Sequence, residues 1–176
     1  MRPCGFRRCS CRCRLVAGRG ISYNLWILRT LSMATVHKTV LLWYSAQQMY
    51  RLVSDVASYP QFLPWCGGVE VHESTPESMR ATLRIDFKGV RQSFTTHNVQ
   101  VPDREITMQL VEGPFSALQG RWTFAPLQDE GACRVDFNLE YHFSNRLVEA
   151  VIGPVFGHIA KTFVDAFVHR AEAVYG

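Results

Sequence analysis

The chain reads as an α+β domain in which a curved antiparallel sheet of about seven strands wraps around one long C-terminal helix. Three observations carry this reading. From residue 69 to residue 143 apolar and polar residues alternate with period two, the mark of half-buried antiparallel strands. Over the last thirty or so residues the apolar period changes to that of a helix. The element order is then strand, short helix, meander, long helix, which leaves one sheet face to bury and one long amphipathic helix to cover it.

The first strand is expected over residues 36–43, which are apolar and β-branched. Ser45-Ala-Gln-Gln48 is a capping-box pattern, so a helix should start there. Met49, Leu52, Val53 and Val56 continue it at helical spacing, and it should end before Tyr59-Pro60. A strand opens near Val69. Met79, Ala81, Leu83, Ile85 and Phe87 then alternate with Arg80, Thr82, Arg84, Asp86 and Lys88. Further strands are expected around 90–101, through Ile106, Met108 and Leu110, and around 117–127. Cys133, Val135, Phe137, Leu139, Tyr141 and Phe143 form the last one. Pro102-Asp103, Gly113-Pro114 and Asp129-Glu-Gly131 supply turns. Ser144 or Asn145 should cap the long helix, whose stripe runs through Val148, Ile152, Val155, Phe156, Ile159, Phe163, Ala166, Phe167 and Val174. Gly153-Pro154 inside it predicts a kink or a break. A twisted sheet gripping one helix is a helix-grip architecture, and the space between the two need not be filled by side chains alone.

Net charge is +4 for the whole chain, but its distribution matters more than its sum. Residues 1–32 contain seven arginines and no acid, so residues 33–176 are mildly acidic at −3. Cys4, Cys9, Cys11 and Cys13 crowd the same leader, leaving Cys66 and Cys133 in the body. Two cysteines do not make a disulfide framework, and the body reads as a reduced domain. The leader's cysteine spacing does not match paired zinc ligands. The leader is expected to be an extension upstream of a start at Met33, with an arginine-rich mitochondrial transit segment as the alternative. No apolar run approaches the length that a bilayer demands.

Catalytic candidates are few. His37, His72, His97, His142, His158 and His169 sit in no metal or triad motif, and no catalytic residue is expected. Cys66 and Cys133 lie among apolar residues and read as buried hydrophobes rather than nucleophiles. Walker, dinucleotide and nucleophile-elbow motifs are missing. Gly153 and Gly157 make a GxxxG that implies close packing only. Arg80, Arg84 and Lys88 share a strand face, but Asp86 interrupts them and the body is acidic, which argues against DNA and against strong direct RNA binding.

Aromatic residues are the more telling set. They fall on the apolar faces or at bordering loops, and a cavity built from them would suit an isoprenoid or quinone ring and not a charged metabolite. The candidate lining and entrance residues are Tyr59, Phe62, Leu63, Trp65, Phe87, Phe94, Met108, Phe115, Trp122, Phe137, Phe156, Ile159, Phe163 and Phe167. Tyr59 to Trp65 and Gly113 to Phe115 are the expected entrance loops.

Four stretches carry a family resemblance: Ser58-Tyr-Pro-Gln-Phe-Leu-Pro-Trp-Cys66, Leu110-Val-Glu-Gly-Pro-Phe115, Gly120-Arg-Trp-Thr-Phe124, and Gly153-Pro-Val-Phe-Gly157 continuing to Phe163-Val-Asp-Ala-Phe167 and Arg170-Ala-Glu-Ala-Val-Tyr175. Together they resemble the coenzyme Q-binding, START-like family of the polyketide cyclase/dehydrase superfamily, above all its bacterial branch of ribosome-association toxins. The resemblance spans residues 34–176 and has no counterpart for the leader. It implies non-enzymatic binding of ubiquinone or another prenyl lipid, held as a ligand and not as a cofactor, in support of respiratory electron transport. The alternative it implies is a regulator that binds the large ribosomal subunit and blocks subunit association; a cyclase-like enzyme ranks third. Membrane contact would be transient, through the entrance loops. The bacterial branch implies the cytoplasm, and a true transit segment would instead imply the mitochondrion.

Overall fold

The computed structural model describes residues 33–128 and 131–176. The leader, with its start site and cysteines, and the Asp129-Glu130 part of one expected turn lie outside the described residues. Among the described residues there are seven strands: β1 (Ala34–Leu42), β2 (Cys66–Ser74), β3 (Ser78–Phe87), β4 (Val90–Val101), β5 (Glu105–Glu112), β6 (Phe115–Pro126) and β7 (Cys133–Phe143). Three α-helices accompany them: α1 (Ala46–Ser54), α2 (Tyr59–Phe62) and α3 (Arg146–Tyr175). All strands join one antiparallel sheet in the order β1-β7-β6-β5-β4-β3-β2. Apart from β1, every strand lies beside its neighbour in sequence, as short hairpin connections require.

Local chemistry explains the boundaries. The Gln48 N–H donates to Ser45 Oγ at 3.2 Å while the Ser45 N–H donates to Gln48 Oε1 at 2.8 Å, so both halves of the predicted capping box form. At α3 it is Asn145, not Ser144, that accepts, from the Val148 N–H at 2.9 Å. The β3–β4 hairpin turns through Lys88 and Gly89 at φ 51° and 80°, the left-handed pair that a two-residue primed turn demands. Thr82 pairs with Thr95 and Leu83 with Phe94 on the way back from that turn.

Four expectations need correction. Tyr59 to Phe62 is a short helix and not an open loop, with Pro60 in its first turn, where the missing N–H has no intrahelical partner to lose. The long helix runs unbroken through Pro154, because Ile152, Phe156 and Ile159 are buried on either side of it and hold it to the sheet. Val174, assigned to its buried stripe, is exposed, whereas Val164 and Ala171 are buried. Finally, α3 is long and apolar enough by length and composition to cross a membrane, with a mean hydropathy of 1.4. In the fold its buried residues pack against the sheet, as a core helix does.

The helix lies across the inner sheet face, against β1, β7, β4 and α1. Its C-terminal end is tied to α1 by the Tyr175 hydroxyl, which donates to the Gln48 carbonyl at 3.3 Å. Arg170 ties it to α2: the guanidinium donates to Gln61 Oε1 at 3.1 Å and lies over the Phe62 ring. Lys38 of β1 pairs with Asp165 of α3.

Candidate functional site

Between α3 and the sheet lies an apolar cavity of about 60 Å³. Its walls come from every layer: Val53 from the end of α1, Val56 from the 3-10 turn that follows it, Tyr59 and Trp65 from the segment around α2, inward residues of β3 to β7, and Phe156, Ile159 and Phe163 from α3. Eight of the expected residues line it, namely Tyr59, Trp65, Phe94, Met108, Phe137, Phe156, Ile159 and Phe163.

The other six have different positions. Leu63, Trp122 and Phe167 are almost fully buried in solid core. Phe115 stacks against Phe143 at 5.1 Å and packs on Phe156 at 4.8 Å. Phe62 and Phe87 line a separate outer groove of about 520 Å³ beside α3, which Trp65 also borders. Phe87 stacks there on His158 with centroids 5.9 Å apart. Of the aromatics in the expected entrance loops, Tyr59, Trp65 and Phe115 are buried and Phe62 is half-buried in that outer groove. The large apolar side chains that stand out are others, among them Leu147 (81% exposed) and Val151 on the first turns of α3 and Trp43 after β1.

One thin row of the sheet contributes Asn98, Met108 and Leu139 to the cavity wall. Across the inner face Met79, Asn98, Met108, Gly120 and Leu139 are direct cross-strand neighbours on β3, β4, β5, β6 and β7. Gly120 has no side chain to fill its place, and the Met108 methyl leans into it: a Cβ there would stand 2.4 Å from Met108 Cε. Gly113, at the turn into β6, is needed for a different reason, since a Cβ there would lie 2.7 Å from the Phe94 Cβ.

Apart from the Trp65 indole N–H, polarity in the cavity lining is confined, among the described residues, to three side chains. The Tyr59 hydroxyl is spent, donating to the Val53 carbonyl at 2.7 Å, and burial pushes its ionisation far above the usual phenol range. Thr96 and Asn98 are the other two, both buried on β4. Neither was expected from sequence. A signal existed but pointed the wrong way: on β4 the valines Val99 and Val101 alternate with Asn98 and Gln100, and hydrophobicity would turn the valines inward. The structure does the reverse, exposing both valines and burying Thr96, Asn98 and Gln100. Pairing decides this. The tight Lys88–Gly89 turn sets Ala81 opposite Thr96 and Met79 opposite Asn98, and directly opposed residues share a face.

Burial also governs the thiols. It pushes Cys66 up and Cys133 up to about 11, the opposite of the lowered pKa that activates a cysteine nucleophile. Among the described residues no group of three or more His, Cys, Asp or Glu side chains is placed to hold a metal ion.

An antiparallel sheet closed on a C-terminal helix over an apolar cavity defines a START-like helix-grip protein. Residues 42–168 match the family described as polyketide cyclase/dehydrase and lipid transport, and the chain belongs to that family. Within it, the chain is 45% identical over 150 residues to the ribosome association toxin RatA of Escherichia coli, covering 85% of this chain and 94% of that one. It is 31% identical over 138 residues to the mitochondrial coenzyme Q-binding protein COQ10 of Drosophila melanogaster, covering 77% of this chain and 57% of that one. Among solved structures, an 18 kDa protein of Caulobacter crescentus is 28% identical with a TM-score of 0.63, covering 81% of this chain and 99% of that one. The Zhui aromatase/cyclase of a Streptomyces species shares the fold with a TM-score of 0.67 at 20% identity, covering 80% and 94%.

Proposed function

We propose that the protein is a non-enzymatic carrier of ubiquinone or a similar neutral prenyl lipid, acting through residues 33–176 in the cytoplasm of a bacterium and supporting respiratory electron transport. The observation that carries the proposal is the apolar cavity between α3 and the inner sheet face, whose lining includes no charged side chain among the described residues. An ion transferred there would lose its hydration without compensation, whereas a prenyl chain or quinone ring gains from the transfer. The name of the COQ10 relative points the same way. At about 60 Å³ the cavity is well below the roughly 300–1,000 Å³ of typical ligand sites, so binding must part the walls. Met108 is the most pliable of them, an unbranched side chain already leaning into the space beside Gly120.

The test is to purify the protein from a quinone-producing host and analyse its organic extract by mass spectrometry. A quinone or other prenyl lipid at a substantial mole fraction is expected, and its absence overturns the proposal. A second reading, binding to the large ribosomal subunit, is supported by the name of the RatA relative. Sedimentation of lysate through a low-salt sucrose gradient tests it: the protein should travel with large-subunit fractions, and its absence from them removes this reading.

A further inference from the structure

A polar stripe on β4 interrupts an otherwise apolar interior. Phe94, Thr96, Asn98 and Gln100 share the inner face of that strand. Gln100 is accounted for, because the Tyr50 hydroxyl donates to its Oε1 at 3.4 Å. Asn98 is not. It is 4% exposed, it lines the cavity between Met79 and Met108, and its Oδ1 has no hydrogen-bond partner. A buried amide oxygen without a partner costs stability that a leucine of nearly the same size would not cost. Conflicts between local chemistry and burial of this kind concentrate at functional sites.

We propose that Asn98, assisted by Thr96, is the specificity-determining residue of the cavity, hydrogen-bonding the neutral oxygenated head of a bound lipid. This rests on the lipid-carrier reading above and goes further, by assigning the end of the lipid that the protein recognises. A carboxamide turned about its last torsion presents either C=O or NH₂, so Asn98 meets a hydroxyl or a carbonyl equally well. The Thr96 hydroxyl, two residues away on the same face, is likewise donor or acceptor. Anionic heads are refused because no lysine, arginine or histidine lines the cavity to balance them. The prenyl chain then lies along Leu83, Leu118, Leu139 and the α3 phenylalanines, which offer apolar surface only. The class selected is a prenyl chain ending in a carbonyl or hydroxyl, and neither a bare hydrocarbon nor a prenyl phosphate.

Binding to the whole protein is measured by isothermal titration calorimetry, which reads all three probes alike: a ubiquinone carrying two isoprene units, farnesene and farnesyl phosphate. The protein is expected to prefer the ubiquinone over farnesene by about ten-fold, the order of one net hydrogen bond, and to bind farnesyl phosphate more weakly than either. Asn98→Leu is expected to abolish the preference, binding ubiquinone and farnesene alike, with a melting temperature equal to or above that of the parent. Equal binding of ubiquinone and farnesene by the parent sinks this inference and leaves the lipid-carrier reading standing. Binding of no probe sinks both. A preference retained in Asn98→Leu, or a variant that fails to fold or melts lower, shows a side chain that serves the fold and not the ligand, and overturns the assignment.

Discussion

Two adjacent rows of the same sheet face have opposite fates. In one, Gln100, Ile106, Trp122 and Phe137 stand side by side across β4 to β7. That row is solid at Trp122, which packs on Phe137 with centroids 4.4 Å apart and on Phe167 of α3 at 5.4 Å, while Ile106 and Phe137 also border the cavity. The next row, Met79, Asn98, Met108, Gly120 and Leu139, has a glycine where its neighbour has a tryptophan, and an amide where an aliphatic group would pack. The difference teaches how little separates wall from core on one sheet face: where one row carries a tryptophan, the other has a glycine over which the Met108 side chain, a cavity wall, leans.

The comparison can be broken most decisively in the solid row. Trp122→Ala removes a side chain that is 1% exposed and touches both sheet and helix, and should cost about 3–5 kcal/mol in denaturant unfolding. A loss below about 1 kcal/mol would mean that this row is as yielding as its neighbour.

Gly120→Ala sharpens the comparison from the other side. The new Cβ displaces the Met108 methyl, which borders both the cavity and an outer groove. Stability should fall by only about 1 kcal/mol, because a flexible side chain can give way. Retention of co-purified lipid, read by mass spectrometry, should drop several-fold. Full retention would show that the hollow does not depend on this glycine.

A smaller effect appears at alkaline pH, through Cys133, which is 0% exposed at the start of β7. Its thiol is pushed up to about 11 by burial from an ordinary value of 9.0. Between those values the folded chain keeps a proton that the unfolded chain has lost, so stability is full below pH 9 and falls as pH rises toward 11. Cys133→Ala should flatten part of that fall in urea midpoints measured from pH 8 to 10.5. An unchanged slope would assign the whole fall to other buried groups, of which Cys66, Tyr50, Tyr59 and Tyr141 are also pushed up by burial.

Legibility in sequence followed the range of the interactions. The cap at Ser45 depends on residues three apart, and β3 and β7 declare their buried faces through their own alternation, so these elements appear where local pattern puts them. The candidate site was only half legible. Phe94, Met108, Phe137 and Phe156 could be named from apolar phase, but nothing local separates Phe137, which lines the cavity, from Phe167, which fills the core. Their difference depends on which neighbours arrive from strands and helix many residues away.

The alternation of five strands, the caps and the long apolar helix were enough to determine a sheet gripping a helix, because each is a property of a few consecutive residues and of the solvent they avoid. Tertiary structure alone decided that β4 turns its amides inward and its valines out. A two-residue turn and a neighbouring strand set that register, and a shift of one residue would have reversed it. Because Asn98 enters the cavity wall only through this pairing, the hollow and its unpartnered amide oxygen belong to the fold and not to any stretch of the chain.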